Sequence, residues 1–287
     1  MTSSEKSGYL NIIKEWLSKQ QHLPQNIHDK LLNRFLHSCK YSPEQAKTLI
    51  DLFYTLRSQA PEIFANRDPT SPELQSAFEN FDYIPMPKLG EANERIFIYR
   101  MNSSDITKYD FVNSIKAFFI LADIRMIVEE TIPEGEIPIY DTSNFTLKHL
   151  SKVNLQVQKK FFFYSQEAHP INLKSIHVVN IPTFLDKCMQ LMRPFMKPEV
   201  KKMIHTHVDK YSTLHEYIAP NLLPVEYGGT VGTVSDIKKW WMGKVMEHKD
   251  YLTDESRWAV DESKRTNDNH SRRTLGMEGS FRSLDID

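Results

Sequence analysis

The side chains with metal-ligating chemistry crowd most closely at His205-Thr206-His207, with His215 a little further on. Positions i and i+2 point apart on a helix and share a face on a strand, so this set could converge only on a strand. No carboxylate or cysteine at ligand spacing completes it, and no metal is expected. Asp123, Glu129 and Glu130 share one apolar segment, but nothing at catalytic spacing pairs with them. Gly228-Gly229-Thr230-Val231-Gly232 has the order G-G-x-x-G rather than G-x-G-x-x-G, and it follows LLPVEY rather than an obvious strand. A turn is the better reading of it. The chain has no G-x-S-x-G nucleophile elbow and no phosphate-binding P-loop. These residues predict a protein that is not an enzyme and needs no cofactor.

The bulk properties are those of an ordinary globular protein. At 287 residues, 40% hydrophobic and 25% charged, the chain can hold one large domain or two modest ones. A net charge of −1 gives no electrostatic case for nucleic acid. Cys39 and Cys188 make no disulfide framework and fit a reducing compartment. MTSSEKSG lacks a basic start before an apolar run, Thr2 is not a myristoylation site, and no run nears the ~20 apolar residues of a membrane span. A cytoplasmic location is expected.

The elements that must position any site change character along the chain. Tyr9, Leu10, Ile13, Trp16 and Leu17 fall at helical spacing, as do Leu31, Leu32, Phe35 and Leu36. Ser42-Pro43-Glu44-Gln45 reads as a helix start with Ser42 as cap and Gln45 closing a capping box. The stripe Ala46, Leu49, Ile50, Phe53, Leu56 follows, limited by Pro61. Asp68-Pro69-Thr70-Ser71-Pro72 is a turn-rich joint, and the division into a helical domain over 1–75 and a second domain over 76–253 is placed near it. Beyond it, strands are expected at 95–100, 137–140 and 174–180, with helices over 111–130 and 147–166. Strands alternating with helices imply crossovers and a mainly parallel sheet, hence an α/β fold. Trp240 and Trp241 sit on a late helix that Ser235 or Asp236 could cap, and 254–287 reads as a polar tail.

Two apolar features stand out. Phe161-Phe162-Phe163-Tyr164 spread over ~300° of a helix, so they cannot all face one core. The second surface they meet is either a ligand or a neighbouring helix. The segment 184–195 carries Phe184, Leu185, Cys188, Met189, Leu191, Met192 and Phe195, with Pro194 and Pro198 limiting its helix.

The ordered run from IHVVN through IPTF, RPFMKP and IHTH to LLPVEYGG resembles the lipid-binding core of the CRAL-TRIO family. FLHSCKYSPEQAKTLIDLFYTLRSQAPEIFANRDP is similar to that family's helical N-terminal domain, with His37 where Arg is usual, and IPMPKLGEANERIFIYR to the segment that opens its lipid domain. The resemblance covers nearly the whole chain and is greatest to the branch of tocopherol-transfer and retinaldehyde-binding proteins. It implies a non-covalent lipid carrier with a pocket between a sheet floor and a mobile gate helix, and the family has IHxH without metal.

Carried over position by position, the resemblance puts the pocket lining on Ile115, Phe118, Phe119, Ala122, Tyr140, Phe161, Tyr164, Ile171 and Ile176. His169 stands where an aromatic is expected and is either a polar anchor or a structural residue. The gate falls on Phe184, Leu185, Cys188, Met189, Met192 and Phe195. A basic cleft that reads phosphoinositides in the branch falls on Asn172, Lys174, Glu199 and Met203, of which Lys174 alone is cationic. Phosphate recognition needs several convergent donors. Lys197, Lys201 and Lys202 lie nearby as either a diffuse patch for anionic membranes or a solvated face. The implied ligand is a tocopherol, retinoid, carotenoid or other isoprenoid, exchanged during transient membrane contact. The alternatives are a lipid-sensing module with a protein partner at the C-terminal tail, and phospholipid or phosphatidylinositol exchange. A GSFR-like ending at 279–282 recurs in arthropod relatives and suggests a tail that packs back on the domain.

Overall fold

The computed structural model of the chain describes residues 2–209 and 211–265. Helices α1 (Ser3–Ser18), α2 (Asp29–Ser38), α3 (Pro43–Ser58), α4 (Pro61–Phe64) and α5 (Pro72–Asn80) come first. Proline opens α3, α4 and α5, where its missing N–H costs nothing because the first amides of a helix lack partners anyway. Ser42 does cap α3, but its side chain makes no capping hydrogen bond, so the expected capping box does not form. Around these helices Phe35, Phe53, Tyr54 and Ile50 form an apolar cluster with edge-to-face ring contacts at 5.0 and 5.1 Å.

A five-stranded sheet follows in the order β1-β2-β3-β4-β5. Strands β1 (Phe81–Leu89) and β2 (Glu94–Met101) pair antiparallel; β3 (Gly135–Asp141), β4 (Ile176–Val179) and β5 (Ile204–His207) add in parallel. This is the helical region followed by a mainly parallel α/β unit that the sequence predicts. Strand β1 escapes sequence reasoning because Pro85 and Pro87 interrupt it. It lies at the sheet edge, where proline is tolerated, and its register shifts between Pro85 and Leu89.

The helices between strands are α6 (Phe111–Val128), α7 (Leu147–Ser151), α8 (Leu155–Glu167), α9 (Leu185–Met192) and α10 (Pro198–Lys202), and α11 (Ser212–His215), α12 (Val234–Glu247) and α13 (Lys249–Thr253) close the fold. The single helix expected over 147–166 is two, because the Asn154 side chain accepts the amides of Gln156 and Val157 and starts α8 afresh. Thr233, not Ser235 or Asp236, caps α12, its hydroxyl accepting the amide of Asp236 at 3.1 Å. The first part of the expected tail is packed: Trp258 is buried and Arg265 donates to Asp51 at 2.8 Å on α3. Residues 279–282 lie outside the described residues.

Helix α6 joins the two halves. Ile115, Phe119, Ala122 and Met126 pack with the N-terminal helices, while Ala117, Ile120, Leu121 and Ile124 pack with the sheet. A helix apolar all round must be covered all round. Its two buried acids are both neutralised. Asp123 receives Arg57 Nη1 at 3.0 Å and Nη2 at 2.5 Å, and also Arg67 Nη1. Glu129 receives Arg34 Nη2 at 2.8 Å and Arg125 Nε at 3.1 Å, and Arg125 reaches Glu136 of β3 at 2.8 Å. The carboxylates without sequence partners are therefore bolts between layers. Replacing Asp123 by Asn should strand two buried guanidiniums and cost about 3–5 kcal/mol, read by urea unfolding. A loss under ~1 kcal/mol would show that the bolt holds nothing.

Candidate ligand-binding face and gate

The strand register decides which side chains share a face. Tyr99 pairs with Tyr140 and Tyr140 with Val178, while Ile176 pairs with Ile204 and Val178 with Thr206. Paired residues on parallel strands point the same way, and period-two alternation puts these six on one face. Phe118 of α6 fixes which face it is, with its ring 5.3 Å from Tyr99. The opposite face, carrying Ile98, Ile139 and Val179, is closed by the core that includes Trp241 of α12, whose indole donates to Pro85 O at 3.0 Å.

The two faces differ in closure. On the α6 side Phe97 is fully buried, but Tyr99, Tyr140, Ile176 and Ile204 each keep partial exposure. Phe118, Phe161, Phe162, Ile171 and Ile181 are also only half-buried. Tyr99, Phe118 and Phe161 flank the two cores and still keep partial exposure, which makes this apolar side a candidate binding surface.

Above it runs the crossover from β4 to β5, which contains α9. No residue of α9 is buried, although Leu185, Cys188, Met189, Leu191 and Met192 are apolar and half-exposed. Phe184 precedes it without a side-chain cap, and Phe195 follows in a 3-10 turn. The crossover is held at its feet. Asn180, in the left-handed region at φ 54°, donates its amide to Asp141 at 2.9 Å. At the other end Gln166 of α8 donates to Phe195 O at 2.9 Å and accepts Lys197 N at 2.8 Å. Two ring contacts also reach the crossover, Phe184 with Phe145 at 6.1 Å and Phe195 with Phe162 at 6.3 Å.

The residues expected to line a pocket divide. Phe118, Tyr140, Phe161, Ile171 and Ile176 border the half-exposed surface. Ile115, Phe119, Ala122 and Tyr164 are buried toward the N-terminal helices; Phe119 lies 4.9 Å from Phe64, and Arg57 donates to the Tyr164 hydroxyl at 2.9 Å. The four-aromatic run thus meets two surfaces, Tyr164 a core and Phe162 the crossover. Tyr99, Ile204 and Ile181 border the open surface without having been singled out in the sequence. The register of IHTH against IHVV could have found Ile204.

His169 ends α8 with its Nδ1 buried and unpartnered among the described residues, and burial lowers its pKa to about 4. His177, His205 and His207 project from the far face of the sheet. His177 Nδ1 meets His207 Nε2 at 2.8 Å, Ser175 Oγ meets His177 Nε2 at 2.9 Å, and His207 Nδ1 meets Thr213 Oγ1 at 2.9 Å. One direction of donation along this chain satisfies all three links with both rings neutral. Burial, then neighbouring His207 and His205, lower His177 to about 4. Among the described residues no group of three or more such ligands could hold a metal ion.

Asn172, Lys174, Glu199, Lys201 and Lys202 are exposed, and Met203 is half-buried. Lys197 is paired with Glu167 at 2.7 Å. Of the four carried-over positions Asn172, Lys174, Glu199 and Met203, Lys174 alone is cationic. Lys174, Lys187, Arg193, Lys201 and Lys202 stand around the crossover beside Asp186 and Glu199.

A half-closed sheet face beneath a crossover helix with no core of its own defines an α/β domain for hydrophobic ligands. The profile of the CRAL/TRIO domain matches residues 83–229, and that of the Pinta-like UBA domain matches residues 2–74. The chain belongs to the CRAL-TRIO family, whose members bind and transfer lipophilic ligands. It is 25% identical to clavesin-2 of Rattus norvegicus over 233 residues, covering 81% of this chain and 70% of that one. To the alpha-tocopherol transfer protein-like protein of Homo sapiens it is 25% identical over 218 residues, 76% of this chain and 63% of the relative. The crystal structure of Sfh5 has the same fold at a TM-score of 0.51 and 15% identity, covering 96% of this chain and 94% of Sfh5. No helix among the described residues is long and apolar enough to cross a membrane.

Acid should loosen this architecture. His169 falls from 6.5 to about 4 on folding, so between those values the unfolded chain binds more protons than the folded one. Stability is then full above pH 6.5 and declines as pH falls toward 4, by on the order of 3 kcal/mol for His169. His177 adds in the same direction. His169→Leu should flatten the pH dependence of urea unfolding across that window; an unchanged slope would remove His169 from the account.

Proposed function

We propose that the protein carries a hydrophobic small molecule, of isoprenoid type, between the sheet face of Tyr99, Tyr140, Ile176 and Ile204 and the crossover that contains α9. The observation that carries this reading is a contiguous half-exposed apolar surface under a helix that has no buried residue. Apolar side chains of α9 that stay partly exposed leave contacts for a ligand to complete. Burying on the order of 400 Å² of ligand is worth roughly 10 kcal/mol gross, from which the ordering cost is subtracted. The hydroxyls of Tyr99 and Tyr140 donate to no described residue, and they offer polar ends for a ligand that carries one oxygen. The exchange is non-covalent, and it needs no group that makes or breaks bonds.

Release occurs at a membrane. Leu185, Met189 and Met192 on α9 touch the bilayer, the exposed cations around the crossover favour an anionic surface, and the crossover swings on Asn180 and Gln166. Membrane association is peripheral and transient.

Native mass spectrometry of the purified chain, followed by organic extraction, should reveal a stoichiometric isoprenoid or other lipid. A chain that arrives empty and takes up neither labelled tocopherol, retinaldehyde nor phospholipid from vesicles would overturn the carrier reading. Ile176→Trp should fill the surface and lower uptake tenfold or more in a chain that still unfolds cooperatively. Met192→Asp should leave binding intact and slow vesicle-to-vesicle transfer several-fold; an unchanged rate would remove α9 as the gate.

A further inference from the structure

The bolt around Asp123 leaves a charge unspent. Arg57 and Arg67 are both buried, and they share the single carboxylate of Asp123. Arg57 spends three hydrogen bonds on Asp123 and Tyr164. Arg67 spends only Nη1; its Nη2 is buried with no partner, and its Nε makes no hydrogen bond to a described residue. Nε and Nη2 form one edge of a guanidinium, the edge that takes a carboxylate or phosphate through two parallel hydrogen bonds. Lys116 adds a further positive charge nearby, donating to Ala65 O at 2.8 Å. Burial lowers the Arg67 pKa and Asp123 only partly offsets it, whereas at Arg57 Asp123 and Tyr164 together outweigh burial and raise it. A buried cation left in that condition calls for an anion.

Arg67 also lines a recess of about 470 Å³ between α3, α4 and the segment after α13. Its apolar walls include Pro61, Phe64, Leu252, Trp258 and Val260. The Trp258 ring lies 4.4 Å from the Arg57 guanidinium and 4.3 Å from that of Arg67. Two carboxylates also line the recess. Asp68 is neutralised by Lys249 at 3.0 Å, and Glu255 is exposed to solvent.

We propose that this recess binds a small organic oxyanion, a carboxylate or phosphate on a compact apolar body, with the free edge of Arg67 gripping the oxygens and Trp258 packing the body. The site is separate from the sheet face under α9, and its existence does not depend on the carrier reading. It is nonetheless wired toward that face. The anion would pair the Arg67 that holds Asp123 on α6, and Arg57 links the same Asp123 to Tyr164 on α8, the helices that carry Phe118 and Phe162.

The test is titration of the full purified chain, in an anion-poor buffer, with benzoate and separately with inorganic phosphate. Thermal unfolding and calorimetry supply the readouts. At least one probe should bind saturably and raise the melting temperature. Arg67→Lys keeps the charge and removes the fork, and should weaken that binding tenfold or more. Ala259→Trp, at an exposed position on the rim, blocks entry without touching Arg67 and should do the same in a fully folded chain. Binding of benzoate alone assigns a carboxylate ligand, and binding of phosphate alone a phosphate. Failure of both probes to bind saturably, or binding undiminished in Ala259→Trp, overturns the proposal.

Discussion

The ion-paired Asp123 is the constraint on which the rest of the architecture rests. It sits on α6 at the junction of the helical region and the sheet, fully enclosed, with Arg57 and Arg67 brought to it from the N-terminal side. A buried carboxylate flanked by two guanidiniums adds little net stability compared with apolar packing, but once built it cannot lose a member cheaply. That asymmetry fixes the rotation of α6. With Asp123 pinned toward the helical layer, Phe119 follows it into the N-terminal cluster and Phe118 is left facing Tyr99. The second acid, Glu129, prevents α6 from pivoting about Asp123 by tying it to Arg34 on α2 and sharing Arg125 with Glu136 on β3.

With α6 fixed, the two sheet faces are treated differently. One is closed by α12, with Lys238 reaching Asp82 of β1 at 2.7 Å and Trp241 reaching the Pro85 carbonyl. The other is closed by α6 only as far as β2. From Tyr99 outward the strands face the crossover, whose ends are held by hydrogen bonds at Asn180 and Gln166. On the proposed carrier reading those ends would serve as hinges, since hinges need only a few residues to absorb the backbone change. The histidine chain from Ser175 to Thr213 ties β4 to β5 on the far face, so the two strands from which the crossover departs and to which it returns stay registered.

Much of this was legible in the sequence, for identifiable reasons. Alternation of strand and helix patterns gives the parallel sheet, because it is a local pattern with strong periodicity, and the resemblance of the IHVVN-to-YGG run to the CRAL-TRIO core places the crossover. Local misreadings were confined to helix caps, at Ser42, Asn154 and Thr233; the larger failures were non-local. Pro85 and Pro87 hid β1, since edge position is a property of the sheet and not of the segment. Ile115, Phe119 and Ala122 carry the same apolar types as Phe118, and only the direction in which Asp123 is pinned decides that they enter the helical core. Tyr164 shows the same limit: within a row of aromatics, nothing local says that its hydroxyl will be met by Arg57. Arg57 and Arg67 were not singled out at all, because their partner is distant in the chain.

The half-exposed face also bears on why the cover can be stable and still open. On the proposed carrier reading, Leu185, Met189 and Met192, none of them fully buried, are the contacts that a ligand would complete. A bound lipid would then favour closure in proportion to the apolar area it shares with α9. A bilayer would offer the same methionines and leucine an alternative apolar phase and so remove the advantage of closure without breaking either foot. The equilibrium is therefore set by a difference between two apolar environments of similar quality, and a ligand can shift it only by the amount that it binds the closed form better than the open one. Methionine suits this balance because it adapts to either surface without a fixed shape, and the feet at Asn180 and Gln166 ensure that the segment returns to one register each time.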